Sequence, residues 1–174
     1  LKLNPGESFT TPDAFYGVVK GDFNDAVNEL LKYKRVTTTK KFDVIPVCYN
    51  DFMNANWGVP TWDRLIPLID KCAEIGCEYF VIDAGWSAQG EWVPYETDIW
   101  GTYGFKGIID YIKDKGLIPG VWFEFETTNF DTAKKLGLGD DYLRTRDGKI
   151  ISDHRPKVNI RSEKVREYLK ERIR

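Results

Sequence analysis

The feature that most constrains the fold is a strand-then-helix pattern that begins near Phe42 and repeats along the chain. Apolar runs begin at Asp43, Tyr79 and Ile118, so successive starts lie 36 and 39 residues apart. Nearly unbroken apolar runs are typical of parallel strands that are buried on both faces. Such spacing is typical of βα units that carry long loops. The sequence therefore predicts an α/β fold, namely a partial (β/α)8 TIM barrel.

The pattern predicts three βα units and a helix that leads to a fourth strand. Strands are expected over Asp43–Tyr49 and Glu78–Asp83 and from Leu117 through LIPGVWFEFE. Helices are expected from Pro60 to a stop at Gly76, over 105–116 and 130–136, and from a capping Ser162 to Arg174. A turn at Asp147-Gly148 predicts a small hairpin before the last helix.

Residues 1–40 have a different sequence pattern from the rest of the chain, which suggests that they belong to a different domain. Gly and Pro punctuate short extended stretches, and Asp22–Arg35 has a helical pattern. We interpret 1–40 as the end of a preceding β-rich domain with a linking helix, and 41–174 as the N-terminal part of the catalytic barrel. Since the last helix shows no stop signal, we expect the natural protein to continue into the next barrel strand.

Composition disfavours several classes of function. The chain has 25 basic and 27 acidic side chains without a basic block, which argues against a nucleic-acid partner. It contains no run of roughly 20 apolar residues, so no membrane span is expected. It also lacks a P-loop, a GxGxxG motif and a serine elbow, and we expect no cofactor.

The cysteines predict neither a metal site nor a disulfide framework. Cys48, Cys72 and Cys77 are odd in number and lack CxxC spacing or nearby histidines, so we expect reduced core thiols and no bound metal. This odd number and the absence of a signal-peptide pattern slightly favour a cytoplasmic location, although the compartment stays open.

Polar and aromatic residues gather where the predicted strands end, which is where barrel enzymes carry their chemistry. The candidates are Tyr49, Asn50, Asp83, Trp86, Trp122, Glu124 and Glu126, and Asp51 and Glu91 lie at the same strand ends. Asp83 directly follows the apolar run of its strand, which suits an acceptor of hydrogen bonds from sugar hydroxyls; a turn aspartate is the alternative. Positions two apart on a strand share a face, so Glu124 and Glu126 are expected to point into the barrel, with internal ion pairs as the alternative.

Aromatic side chains make up 14% of the chain and include six tryptophans. Trp57, Trp86 and Trp92 follow strands, where they either stack on a pyranose or anchor their loops. Trp62 falls in a predicted helix and is expected to pack, Trp100 fits either role, and the lone His154 is expected to be a surface residue. Paired carboxylates beside aromatic platforms point to glycoside chemistry.

Four motifs together resemble a known family. PVCYNDF, FVIDAGW, GLIPGVWFEFE and VNIRSEKVREYL resemble, in order and spacing, the catalytic barrel of the bacterial α-galactosidases of glycoside hydrolase family 36. The resemblance implies a retaining hydrolase of terminal α-galactosides. Its aspartate nucleophile would end the fourth strand and its acid/base aspartate would lie further on, so neither is expected in this chain, and the chain alone is expected to be inactive.

The resemblance also implies roles for individual residues. Asp83, Trp86 and Trp122 match the sugar-binding wall, and Arg155 matches an arginine that precedes the fourth-strand helix. Ala84 stands where the family usually has a second aspartate that binds galactose C-4 and C-6 hydroxyls. Galactose is therefore the expected sugar, with an amino or N-acetyl galactoside as an alternative.

A carbohydrate is thus the expected partner. A non-catalytic carbohydrate-binding or scaffold protein is the competing class, and another barrel hydrolase acting on a different sugar is a third. If the chain exists by itself, the open edges of a part-barrel predict a homo-oligomer formed through those edges.

Overall fold

The computed structural model describes residues 3–38, 45–96, 98–152 and 154–174. The chain divides into two units, Leu1–Ile45 and Pro46–Arg174. The division falls close to the boundary predicted between residues 40 and 41, which lies outside the described residues. The assignment of the first segment to the end of a β-rich domain stays a prediction.

The first unit is built around helix α1, Phe23–Thr37. Asp22 caps it, since its carboxylate accepts the N–H groups of Asn24 and Asp25, while the Asp25 carboxylate accepts the N–H of Asp22 at 2.8 Å. This reciprocal arrangement is a capping box. A Cβ atom on Gly21 would lie 2.0 Å from Asp25 Oδ2, so only glycine fits beneath the cap. The helix predicted from Asp22 is confirmed, and none of its described residues is buried.

A three-stranded parallel sheet forms the centre of the second unit. Its strands are β1 (Cys48–Asn50), β2 (Tyr79–Ile82) and β3 (Ile118–Val121), in the spatial order β1-β2-β3. Phe80 of β2 is paired with Tyr49 on one side and with Pro119 on the other. Because all three strands run in the same direction, their carboxyl ends meet at one edge of the sheet. The predicted α/β class is confirmed, and the three predicted strands form one parallel sheet.

Helices follow the strands at the predicted places. They are α2 (Trp62–Glu74), α3 (Gly104–Asp114), α4 (Phe130–Lys135) and α5 (Glu163–Ile173). The predicted stop at Gly76 is confirmed: this residue has φ +81, its N–H donates to Ala73, and the N–H of Cys77 donates to the carbonyl of Cys72 at 2.9 Å. These bonds form the Schellman ending that a left-handed glycine permits.

Two clusters of buried side chains form the core of this unit. The larger contains Leu65, Ile69 and Cys72 of α2, Phe80 and Ile82 of β2, Ile108 and Ile112 of α3, Leu117, and the indoles of Trp86, Trp92 and Trp100. The smaller contains Ala133, Leu138, Tyr142, Val158 and Val165. The predicted hairpin lies beside the smaller cluster, with Arg144 bridged to Ile150 across the turn at Gly148.

The observed strands are shorter than predicted. Of the predicted first strand, residues 43 and 44 lie outside the described residues, 45–47 are not in a strand, and β1 begins only at Cys48. The prediction that Trp122, Glu124 and Glu126 share one strand face was wrong, because β3 ends at Val121. The pairing with β2 ends opposite, at Ile82, and its last backbone hydrogen bond runs from the N–H of Trp122 to the carbonyl of Ile82 at 2.8 Å.

The prediction of three core thiols was wrong for one cysteine. All three are free; Cys72 is buried and Cys77 is partly buried, but Cys48 is exposed because β1 is the outer strand of the sheet. Burial, together with the neighbouring Cys77, raises the pKa of the Cys72 thiol to about 11. Trp62 packs as predicted, stacked on Tyr103 at 4.9 Å between ring centroids.

In the part of the chain that the structure describes, no helix combines the length and the apolar character needed to cross a bilayer.

Candidate functional site

Asp83 lies just beyond β2 at the carboxyl edge of the sheet, and both its carboxylate oxygens are held. Asn50, the last residue of β1, donates its amide Nδ2–H to Asp83 Oδ2 at 2.6 Å. The backbone N–H of Ala84 donates to Asp83 Oδ1 at 2.6 Å. A carboxylate has about four acceptor positions, so roughly two stay open for further donors. The two residues that sequence reasoning selected at neighbouring strand ends are thus in direct contact.

Asp51 binds the backbone of Asp83 through its buried side chain. Its side chain is only 1% exposed. Oδ1 accepts the backbone N–H of Asp83 at 2.7 Å, and Oδ2 accepts the side-chain amide of Asn56 at 2.6 Å. Burial raises the pKa of the Asp51 carboxyl above its usual value. The nearby charge of Asp83 also raises this pKa, whereas the hydrogen bonds from Asn56 and from the backbone lower it.

Three indoles, from the loop after β2 and from the end of β3, pack together into a wall. Trp92 lies between Trp86 and Trp122, with ring centroids 6.2 Å and 5.9 Å away. Trp86 also donates its indole N–H to the carbonyl of Trp122 at 2.8 Å, which ties the loop after β2 to the end of β3. Trp86 and Trp92 are nearly buried, so they anchor their loop, and their remaining surface faces the cleft.

The wall borders a cleft of about 200 Å³. Its lining consists of Ala84, Gly85, Trp86, Ser87, Gln89, Trp92, Trp122 and Arg155. The volume is below the roughly 300–1,000 Å³ of pockets for drug-sized ligands, which suits a smaller molecule. Three of the predicted site residues, Trp86, Trp122 and Arg155, therefore line one cleft.

Gly85 lets two loops approach closely beside the cleft. Its φ is +97, and a Cβ atom there would lie 2.0 Å from the carbonyl oxygen of Gly58. Any side chain at position 85 would push the loop after β2 away from the loop after β1.

Glu124 and Arg155 form an ion pair at the β3 side of the cleft. The amide nitrogen of Gln89 donates to both Glu124 Oε2 and Thr127 Oγ1, each at 3.3 Å, and so links these two side chains. The ion pair that was the alternative interpretation of Glu124 is therefore present. A direct contact of Glu124 with substrate stays a prediction.

Other candidates lie away from the cleft. Tyr49 packs on Phe80 at 5.4 Å between centroids, and burial raises the pKa of its hydroxyl. Glu126 is exposed and contributes its backbone carbonyl to Val158. Trp100 is 1% exposed and donates its indole N–H to Tyr95, so it packs rather than binds.

Trp57 and His154 are both exposed and both have left-handed backbone conformations, with φ of 48 and 82. Trp57 ends a π-helical turn over Phe52–Asn56, and its ring contacts Phe52 at 5.7 Å. Across the described ranges, three or more His, Cys, Asp or Glu residues are nowhere grouped so that they could hold a metal ion.

Sequence reasoning placed Asp51 at the end of the first strand but assigned it no role, and it missed Gln89. Asp51 was visible as a carboxylate that directly follows a strand, but its partners are distant in sequence. Gln89 lies in a long loop whose path no local pattern predicts.

A three-stranded parallel sheet with helices after its strands, and with a small indole-lined cleft near its carboxyl edge, defines an α/β domain. The melibiase family model matches residues 8–173, and the chain belongs to this family.

Curated relatives agree with this membership. The chain is 29% identical over 142 residues to an α-galactosidase of Lactobacillus acidophilus, a match that covers 75% of the chain and 19% of that protein. It is 26% identical over 169 residues to α-galactosidase 1 of Pediococcus pentosaceus, covering 88% and 22%. The chain thus spans about a fifth of the length of these relatives.

Solved structures show the same fold. An α-galactosidase from Thermus thermophilus in complex with stachyose matches with a TM-score of 0.66 and 24% identity, over 80% of this chain and 31% of that one. A family 36 α-galactosidase from Geobacillus stearothermophilus matches with a TM-score of 0.62 and 21% identity, over 74% and 19%. The predicted resemblance to family 36 is confirmed.

Proposed function

We propose that the chain is part of a retaining α-galactosidase that hydrolyses terminal α-galactosides of oligosaccharides or glycoconjugates. Strands β1 to β3 would be the first three strands of its barrel. The observation that carries the proposal is Asp83, which is fixed at the carboxyl end of β2 and directly precedes Ala84, a residue that lines the indole-lined cleft. Family membership and relatives named as α-galactosidases support it.

In this proposal the chain binds the sugar and does not itself react with it. Asp83 accepts hydrogen bonds from sugar hydroxyls, Trp86 and Trp122 offer apolar surface to the ring, and Arg155 contributes a cation that is partly neutralised by Glu124. The nucleophile and the acid/base belong to parts of the family's barrel that the resemblance assigns to later strands.

Ala84 determines how selective the site is. It lines the cleft with a methyl group, so a hydroxyl that a second carboxylate would bind has no partner at this position. Leaving such a hydroxyl unpaired typically costs on the order of 2 to 4 kcal/mol. An amino or N-acetyl galactoside, which keeps the C-4 and C-6 hydroxyls and differs from galactose at C-2, is the second candidate substrate.

Titration of the 174-residue chain with methyl α-galactoside, followed by NMR, tests the proposal. We expect saturable shifts at Asp83 and at the indole N–H groups of Trp86 and Trp122. Asp83→Asn should weaken binding about tenfold because it removes a charged acceptor. Asp70→Asn is the matched control, since Asp70 pairs with Lys115 and Tyr111 on the helices.

Methyl α-glucoside, which differs only at C-4, is the ligand control, and methyl α-N-acetylgalactosaminide tests the second candidate. Equal binding of the galactoside and the glucoside, or unchanged binding by Asp83→Asn, would contradict the proposal. Ala84→Asp should raise the affinity for both the galactoside and the N-acetyl sugar, because both carry the C-4 and C-6 hydroxyls that the missing carboxylate would bind.

A further inference from the structure

We propose that Asp51 is a positioning residue that orients Asp83 for sugar binding; the inference rests on the proposed function and identifies a determinant outside the cleft. Asp51 is not among the residues that line the cleft. It acts through its contacts with the backbone on either side of Ile82.

Asp51 extends the β1–β2 pairing beyond the end of the strand. Its own N–H donates to the carbonyl of Val81 at 3.2 Å, and its Oδ1 accepts the N–H of Asp83 at 2.7 Å. The side chain thus takes the place that a strand carbonyl would occupy if β1 continued. A buried N–H without an acceptor is unfavourable, so this contact determines where the backbone of Asp83 lies.

The second oxygen of Asp51 closes the loop that follows β1. Oδ2 accepts the amide of Asn56 at 2.6 Å, and the N–H of Asn56 donates to the carbonyl of Asp51 at 3.0 Å. Asn56 is 3% exposed, so this pair is buried as well. Both oxygens of Asp51 therefore face N–H donors. An asparagine would satisfy only one of them, because its amide presents one acceptor oxygen and one donor nitrogen.

Two consecutive residues, Asn50 and Asp51, therefore hold Asp83 in place. Asp51 holds its backbone, and Asn50 holds its carboxylate through Oδ2. A displacement of the Asp83 backbone would move the carboxylate to which the proposed function assigns sugar binding, without replacing any residue that contacts the sugar.

The test compares Asp51→Asn with the double variant Asp51→Asn/Asn56→Asp. In the single variant, the new amide nitrogen of residue 51 faces one of the two N–H donors, and that donor loses its acceptor. The double variant reverses the 51–56 pair, so that residue 51 donates to the new carboxylate and its oxygen still accepts the Asp83 N–H. We expect the single variant to bind methyl α-galactoside about tenfold more weakly and the double variant to recover most of that loss.

The amide of Asp83 gives a readout that needs no sugar. Its proton shift should move upfield and its hydrogen exchange should quicken about tenfold in Asp51→Asn, with both restored in the double variant. Ile112→Val, a core change on α3, is the control that lowers stability without altering the Asp83 amide.

The outcomes separate the two proposals. If the unmodified chain binds no galactoside, the proposed function fails, whereas the Asp83 amide still reports on the role of Asp51. A single variant with unchanged Asp83 signals, or a folded double variant no better than the single one, overturns the inference. If both variants unfold, Asp51 is a folding residue and the inference is also overturned.

Discussion

The two sides of the cleft hold their carboxylates by different means. On the β1–β2 side, the carboxylates of Asp51 and Asp83 receive hydrogen bonds from backbone N–H groups and from the amides of Asn50 and Asn56. On the β3 side, Glu124 is paired with the guanidinium of Arg155. Among the described residues, the carboxyl edge of the sheet therefore carries carboxylates held by neutral donors on one side and a carboxylate held in an ion pair on the other.

The difference indicates how the two sides can be used. Neutral donors fix a carboxylate and leave its charge available to a ligand hydroxyl, and such charge-assisted bonds are the stronger kind. An ion pair cancels most of the field and is screened by salt where it reaches solvent. The β1–β2 side is thus suited to bind a sugar, and the β3 side to support the wall around it.

Removing Trp92 should damage both sides at once, because its indole packs on Trp86 from one side and on Trp122 and Phe123 from the other. Trp92→Ala is expected to cost about 3 kcal/mol of unfolding free energy, as large-to-small changes of buried aromatics do. Urea denaturation measures this cost, with Trp92→Phe as the milder control. A loss below about 1 kcal/mol would show that the two sides are independent.

The pH dependence of stability should distinguish the sides next. Because burial raises the pKa of Asp51 in the folded state, the folded protein binds this proton more tightly than the unfolded chain does. The stability from this group is present below its unfolded pKa, near 3.8, and is lost as pH rises through the folded pKa.

The measurement is the unfolding free energy of the unmodified chain minus that of Asp51→Asn, from acid to neutral pH. We expect this difference to fall as pH rises, since residue 51 titrates only in the unmodified chain and distant carboxyls cancel. A difference that grows with pH would mean that the hydrogen bonds outweigh burial.

The smallest effect is expected on the β3 side. Arg155 is 39% exposed at its side chain, so Glu124→Gln should cost less than about 1 kcal/mol of unfolding free energy. That cost should shrink further between low salt and about 1 M salt. Thermal or urea unfolding at both salt concentrations measures this cost. A cost that is large and independent of salt would show that the Glu124–Arg155 pair behaves as a buried ion pair.

Local patterns predicted the features that local chemistry decides. The helices, the stop at Gly76, the turn at Gly148 and the position of Asp83 after an apolar run all follow from a few neighbouring residues. The four-motif resemblance then supplied the family, which neither spacing nor composition could have given.

Strand ends and long-range partners were not predictable in this way. Strand β3 stops at Val121 because β2 stops opposite, and Cys48 is exposed because β1 is an outer strand. The role of Asp51 depends on an N–H 32 positions further along the chain. Such contacts follow from how strands are paired in space, and a single sequence does not reveal that pairing.

The close approach of Gly85 to Gly58 has a consequence for protein engineering. Ala84 lines the cleft, whereas position 85 tolerates no side chain without separating the two loops. A mutagenesis library aimed at changing sugar preference should therefore randomise residue 84 and leave residue 85 fixed, because variants at 85 would lose the loop geometry before their selectivity could be assayed.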